Sequence, residues 1–224
     1  MAETVEKQSI NERVDEGLDQ EALHLLTMLN LDAKNLVGKN IVDMGAGMGS
    51  LAHYLNKRGA NVCSLDMKPP TNYISDKIEA ARKFEETDES SADLKDLHIE
   101  IEKRYHEDDT FFIGNMKKTT FPEETFDLVV ACHTLPVMGK PEAQVVEDVV
   151  SEMLRITKPG GEIRIGPVGL FTNKSDKKDN QTVALGGLQL REMYPDAEVR
   201  FKGVAGEKGE VDVLIIKKRH LAKD

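Results

Sequence analysis

Between Asp43 and Asp66 this chain of 224 residues places the groups best suited to holding a polar ligand. In the run Asp43-Met44-Gly45-Ala46-Gly47-Met48-Gly49-Ser50, glycines alternate directly behind a carboxylate. Glycine lacks a Cβ, so the backbone can turn tightly there and come close to a ligand. A helix that follows would offer its first N–H groups, which have no partner inside the helix. Asp66 stands near the separation of about twenty residues at which a carboxylate reaches a ribose. An ionised carboxylate accepts from both ribose hydroxyls, each bond contributing about 1.5–3 kcal/mol. A helix cap or a turn residue is the other reading of Asp66. His133 is the one candidate general base, because an unperturbed imidazole titrates near neutrality. A capping histidine, or one that only borders the ligand, is the alternative.

The glycine turn is open to two ligand classes. A dinucleotide site asks for G-x-G-x-x-G with a pyrophosphate over the helix start. Here Ser50 occupies the place of that third glycine, and Gly49 comes one residue early.

The elements that must position these groups follow from apolar patterning. Ile41 to Met44 reads as a buried strand, and Leu51 to Leu55 begins a helix that Gly59 ends. Asn61 to Leu65 is a second strand closing at Asp66. A right-handed crossover sets it beside the first, so its end borders the glycine turn. Thr110 to Ile113 is strand three, followed by Gly114-Asn115-Met116. Leu128 to Cys132 is a buried strand four, with His133 just past its end, where open α/β sheets bind ligands. A helix from about Glu142 to Thr157 turns Val145, Val146, Val149, Val150, Met153 and Leu154 inward. It stops at Lys158-Pro159-Gly160-Gly161, and Glu162 to Ile165 is strand five. Glu198 to Val204 and Val211 to Lys217, with Gly206 and Gly209 between, form a closing antiparallel hairpin.

The remaining stretches carry less pattern. Residues 1–18 are a polar N-terminal extension, a tail or a weak helix. A leading helix occupies 19–37, with Asp19 as N-cap and Ala22, Leu23, Leu25, Leu26 and Leu29 on one apolar face. Between strands two and three, 75–106 is a helical insertion, either a solvated outer pair or a substrate cover. Phe171 to Asn180 is a polar, lysine-rich loop, and Gln181 to Tyr194 a helix weakened by Gly186-Gly187. No linker splits the chain, so 1–224 reads as a single domain with its core over 38–218.

Hydrophobic residues make up 39% and charged residues 31%, which suits a soluble α/β domain. A net charge of −10 disfavours nucleic acid and anionic membrane as partners. No apolar run approaches a membrane span, and the acidic N-terminus is unlike a secretory signal. Cys63 and Cys132 lie in apolar runs, and neither they nor the histidines have metal-ligand spacing, so no metal site is expected. His24, His53, His98 and His106 read as surface or helix-face residues. A reduced, cytoplasmic protein is expected.

Taken in order, the motifs resemble those of the class I S-adenosylmethionine (SAM) methyltransferases, closest to the small-molecule type. Asp43-x-Gly45-x-Gly47-x-Gly49 is similar to that family's first motif. Phe121-Pro122-x-x-x-Phe126-Asp127-Leu128-Val129 resembles its fourth-strand segment, and Leu154-Arg155-Ile156-Thr157-Lys158-Pro159-Gly160-Gly161-Glu162-Ile163 its post-helix turn. The resemblance covers about 38–218. It implies an α/β fold with a seven-stranded Rossmann-like methyltransferase sheet, ordered 3-2-1-4-5-7-6, strand seven antiparallel and helices on both faces. It implies SAM as cofactor, S-adenosylhomocysteine as product and a small-molecule acceptor. Asp43, Gly45, Ala46, Gly47 and Gly49 would surround the methionine end. Asp66 and the neighbouring Met67 would meet the ribose, and Asn115 and Met116 the adenine. Cys132 and His133 would lie near the methyl group. Where the family often carries an aspartate against the adenine amino group, this chain has Asn115, whose carbonyl oxygen can still accept. Acceptor contacts would come from the leading helix, the 75–106 insertion and the loop after strand five. Two other readings are a SAM-binding protein without turnover and an NAD(P)-dependent oxidoreductase. The missing third glycine and the terminal hairpin speak against the second.

Overall fold

The computed structural model describes residues 10–72, 99, 103, 109–134, 143–168, 192, 194–206 and 209–219. Helix α1 spans Ile10–Met28, and a short 3₁₀ turn over Ala33–Leu36 leads to strand β1, Asn40–Met44. Helix α2 is Ser50–Asn56, β2 is Asn61–Asp66, β3 is Phe111–Ile113 and β4 is Phe126–Cys132. Helix α3 covers Ala143–Ile156, followed by β5, Thr157–Val168. Strands β6, Ala197–Gly206, and β7, Gly209–Lys218, form the hairpin.

The sheet has seven strands in the order β3-β2-β1-β4-β5-β7-β6. The strands from β3 to β5 pair in parallel, and β7 runs antiparallel to both β5 and β6. This is the expected order and orientation. Successive side chains of a strand face opposite sides, so each strand feeds two apolar layers. Val42, Met44, Val129, Ala131, Ile163 and Ile165 pack with Val149, Val150, Met153 and Ile156 of α3. On the other side, Ile41, Val62, Leu128, Val130 and Cys132 pack with Ala22, Leu26 and Leu29 of α1 and Leu51, Ala52 and Leu55 of α2. Side chains buried this completely contribute about 1.5–3 kcal/mol each, which seats the helices firmly on the sheet.

Three boundaries differ most from the sequence reading. α1 begins at Ile10, so Asp19 is inside the helix and is not its cap. The charges of this helix meet partners on α2 and in the turn just after it. Asp15 pairs with Lys57 at 3.1 Å and with His53 at 3.3 Å, and Asp19 faces Arg58 at 3.7 Å. The leading helix also ends at Met28, short of residue 37, with Asn30 in the left-handed region at φ 52°. Strand β5 starts at Thr157, which pairs with Phe126 before a bulge sets Glu162 opposite Leu128. Of the expected helices within 75–106 and 181–194 only residues 99, 103, 192 and 194 are described, and the loop at 171–180 lies outside the described residues.

Candidate functional site

The parallel register brings the ends of β1 and β2 level, with Met44 opposite Leu65. The chain then turns away from β1 through the glycines. Gly45, Gly47 and Gly49 have φ of 84°, 57° and 74°, a region that side chains with a Cβ enter at a cost. The N–H of Gly45 donates to Leu65 O at 2.7 Å, which ties the turn to β2. A Cβ on Gly45 would stand 2.2 Å from Thr134 Oγ1, so the space beside that glycine is already filled. A Cβ on Gly47 would meet no described atom within 4 Å. Gly45 is therefore a packing glycine, while Gly47 faces open space.

Asp66, 7% exposed, completes one side. Its carboxylate accepts from Gly47 N–H and Lys68 N–H, both at 3.0 Å. The first of these bonds spans from β2 to the glycine turn and fixes the carboxylate beside it. Asp43 is 2% exposed, on the face of β1 that meets α1 and α2. Burial, then the charges of Asp66 and Glu21, pushes its carboxyl up to about 7. Burial also pushes the Cys132 thiol well up, with the nearby Asp43 charge adding to it. A thiol shifted in this direction is disfavoured as a thiolate nucleophile.

His133 follows β4 with φ 56°, while its N–H donates to Gly166 O at 2.8 Å. A left-handed histidine at a strand end is uncommon and draws attention to what it faces. Its ring lies parallel to that of His24 on α1, with centroids 6.0 Å apart. Thr134 Oγ1 donates to Cys132 O at 3.0 Å and lies 3.2 Å from Met44 O, joining the ends of β1 and β4.

Toward β3 the picture is different. Met67 is 63% exposed beside Asp66, whereas Met116 is 7% exposed and packs in the layer that carries α3. The Asn115 side-chain oxygen accepts from Lys117 N–H at 2.9 Å, within its own turn. Ala46 is buried under the turn, its N–H 3.2 Å from Leu65 O.

This arrangement suits a ligand with a diol and a positively charged arm: buried carboxylates on either side of an open backbone turn at the C-terminal edge of the sheet. The family model described as Methyltransferase domain matches residues 42–165, more than half of the chain, including the glycine turn, Asp66 and His133. The chain belongs to this family, the class I SAM-dependent methyltransferases. A ubiquinone biosynthesis O-methyltransferase of Actinobacillus pleuropneumoniae is 28% identical over 144 residues, covering 62% of this chain and 52% of that protein. The chain thus spans about half the length of the curated relatives it matches. An O-methyltransferase family protein from Burkholderia thailandensis has the same fold at a TM-score of 0.53, with 14% identity over 96% of this chain and 60% of that one. A SAM-dependent methyltransferase from Methanosarcina mazei is similar at a TM-score of 0.50, with 17% identity over 84% and 97% of the two chains.

Sequence reasoning overlooked Glu21 and the packing role of Thr134, and read His24 as a surface or helix-face residue, whereas its ring lies against that of His133; Glu21 and His24 are the residues of α1 nearest these groups. They are three apart on α1, so they share a helix face. Their closeness to Leu18, Ala22 and Leu25 in the apolar stripe was the available signal. Polar residues at the edge of a packed stripe lie where the helix meets its neighbours.

Proposed function

We propose that this methyltransferase binds SAM across the C-terminal edge of β1 and β2 and transfers its methyl group to a small-molecule acceptor. In this reading Asp43, Gly45, Ala46, Gly47 and Gly49 surround the methionine end. Asp66 holds the ribose, with Met67 beside it, and Asn115 and Met116 border the adenine. Cys132 and His133 stand nearest the reacting methyl. The observation that carries the reading is Asp66, buried and hydrogen-bonded to Gly47 N–H at 3.0 Å. Opening that bond toward a ribose exchanges one donor for another at a carboxylate already in place. The bound cofactor supplies an electrophilic methyl on a sulfonium. The chain's own part is to hold the acceptor in line, which is worth about 7–11 kcal/mol of the barrier. His133 takes the proton when the acceptor brings one, a contribution of about 10²–10⁴-fold. The relative named for ubiquinone biosynthesis supports a small acceptor, and Cys63 and Cys132, which form no disulfide, fit a reducing cytoplasmic setting.

Calorimetric titration with SAM and S-adenosylhomocysteine tests the binding. Micromolar affinity is expected for the wild type, and at least about a tenfold loss for Asp66→Ala. A protein indifferent to both ligands would end the reading. Transfer of tritiated methyl into a cell extract then separates turnover from binding alone.

A further inference from the structure

The wall of the site that α1 provides is not part of the glycine motif. Glu21 precedes the fully buried Ala22 and lies three residues after Leu18, which is 6% exposed. The packing that seats α1 therefore brings this carboxylate to the edge of the crevice. Ser50, the first residue of α2, donates its hydroxyl to Glu21 Oε2, so the side chain is held at the point where the glycine turn becomes helix. The charge of Glu21 is felt at Asp43 and at Cys132. Asp43 is almost fully buried, and among the described residues nothing bonds to its carboxylate or pairs with it. Two neighbouring carboxylates, one of them enclosed, are unfavourable until a cation joins them. Gly47, beside them, faces open space.

We propose that Glu21 is a further cofactor-binding residue. Together with Asp43 it holds the ammonium group at the amino-acid end of the cofactor, so that α1 supplies selectivity for that charged tail. The inference rests on the reading of the site as a SAM crevice and adds to it a residue from outside the matched segment 42–165. The competing role is a structural latch, in which Glu21 does no more than tie α1 to Ser50.

Three probes separate the roles in calorimetric titrations: S-adenosylhomocysteine, its deaminated analogue, and 5′-methylthioadenosine, which lacks the whole amino-acid end. Glu21→Gln should weaken S-adenosylhomocysteine about tenfold and leave methylthioadenosine within about twofold. Ser50→Ala cuts the latch and keeps the carboxylate, so its affinity for S-adenosylhomocysteine should stay within about threefold of wild type. The wild type itself should prefer S-adenosylhomocysteine to the deaminated analogue by at least about tenfold, a comparison that needs no variant to fold. The proposal is overturned by an unchanged affinity in Glu21→Gln, by equal weakening of S-adenosylhomocysteine and methylthioadenosine in that variant, by a loss in Ser50→Ala matching that of Glu21→Gln, or by equal binding of the deaminated analogue to wild type. Wild-type protein that binds none of the probes would refute the crevice reading, and Glu21's role with it. Wild-type binding with no Glu21 effect would refute only the latter.

Discussion

Replacing Asp43 by asparagine should make the protein more stable in mild alkali and a poorer cofactor binder. The carboxyl is 2% exposed and is raised from 3.8 to about 7, first by burial and then by Asp66 and Glu21. A shift of about three units corresponds to roughly 4 kcal/mol at about 1.4 kcal/mol per unit. The sign follows from linkage. The native state holds this proton more tightly than the unfolded chain. The stabilisation is therefore complete below about pH 4 and is lost as pH rises through about 7. An asparagine has nearly the shape of the neutral acid and does not titrate. The two proteins should be alike below about pH 4, and Asp43→Asn should gain roughly 1.5 kcal/mol over wild type by pH 5 and up to roughly 4 kcal/mol by pH 8. Other titrating groups are common to both, so the difference isolates Asp43. The chain has no tryptophan, and urea unfolding followed by far-UV circular dichroism is the suitable assay. Equal stability of the two proteins from pH 5 to 8, or a less stable variant at pH 8, would show that the carboxylate is not buried unpaired. The same substitution should weaken S-adenosylhomocysteine by about tenfold, since a cation loses a carboxylate partner. A charge that lowers stability and raises affinity is what a binding site keeps.

Other perturbations address neighbouring parts of the site and the fold. Gly45→Ala should destabilise by about 2–4 kcal/mol, from left-handed strain plus the displacement of Thr134. Adding Thr134→Ala should recover part of that loss, and strict additivity in a double-mutant cycle would count against the contact. Gly47→Ala should cost only about 1 kcal/mol in unfolding but at least about tenfold in S-adenosylhomocysteine affinity, because its methyl would enter the open space. Loss of stability without loss of binding would contradict this. Glu152 is 7% exposed and accepts from Thr119 N–H at 2.7 Å and from Arg155 at 2.7 Å. Burial works against its ionisation, yet the bonds from Arg155 and Thr119 outweigh it and hold the carboxyl at about 2. Glu152→Gln should cost about 1.5–3 kcal/mol at pH 7. The difference should be intact above about 4.5 and fade as pH falls toward 2, and a flat difference over that range would refute the assignment.

Much of the site lies along the chain and is legible there. Asp43, the alternating glycines and Asp66 sit in one strand-turn-helix-strand unit, so local pattern alone brings them together. The apolar runs of β1, β2 and β4 and the valine face of α3 are equally local. The sheet order came with the family resemblance carried by those motifs. What the chain could not disclose depends on distant segments meeting. The ion pairs of Asp15 and Asp19 depend on His53 of α2 and on Lys57 and Arg58 just after it. The titration of Asp43 depends on Glu21, brought close only when α1 docks on the sheet. The facing rings of His24 and His133 join residues from opposite ends of the parallel region. Desolvation and charge coupling act through space, not along the backbone. The sequence by itself therefore determined the glycine turn and the carboxylates before and after it, and the tertiary structure decided which further charges surround Asp43.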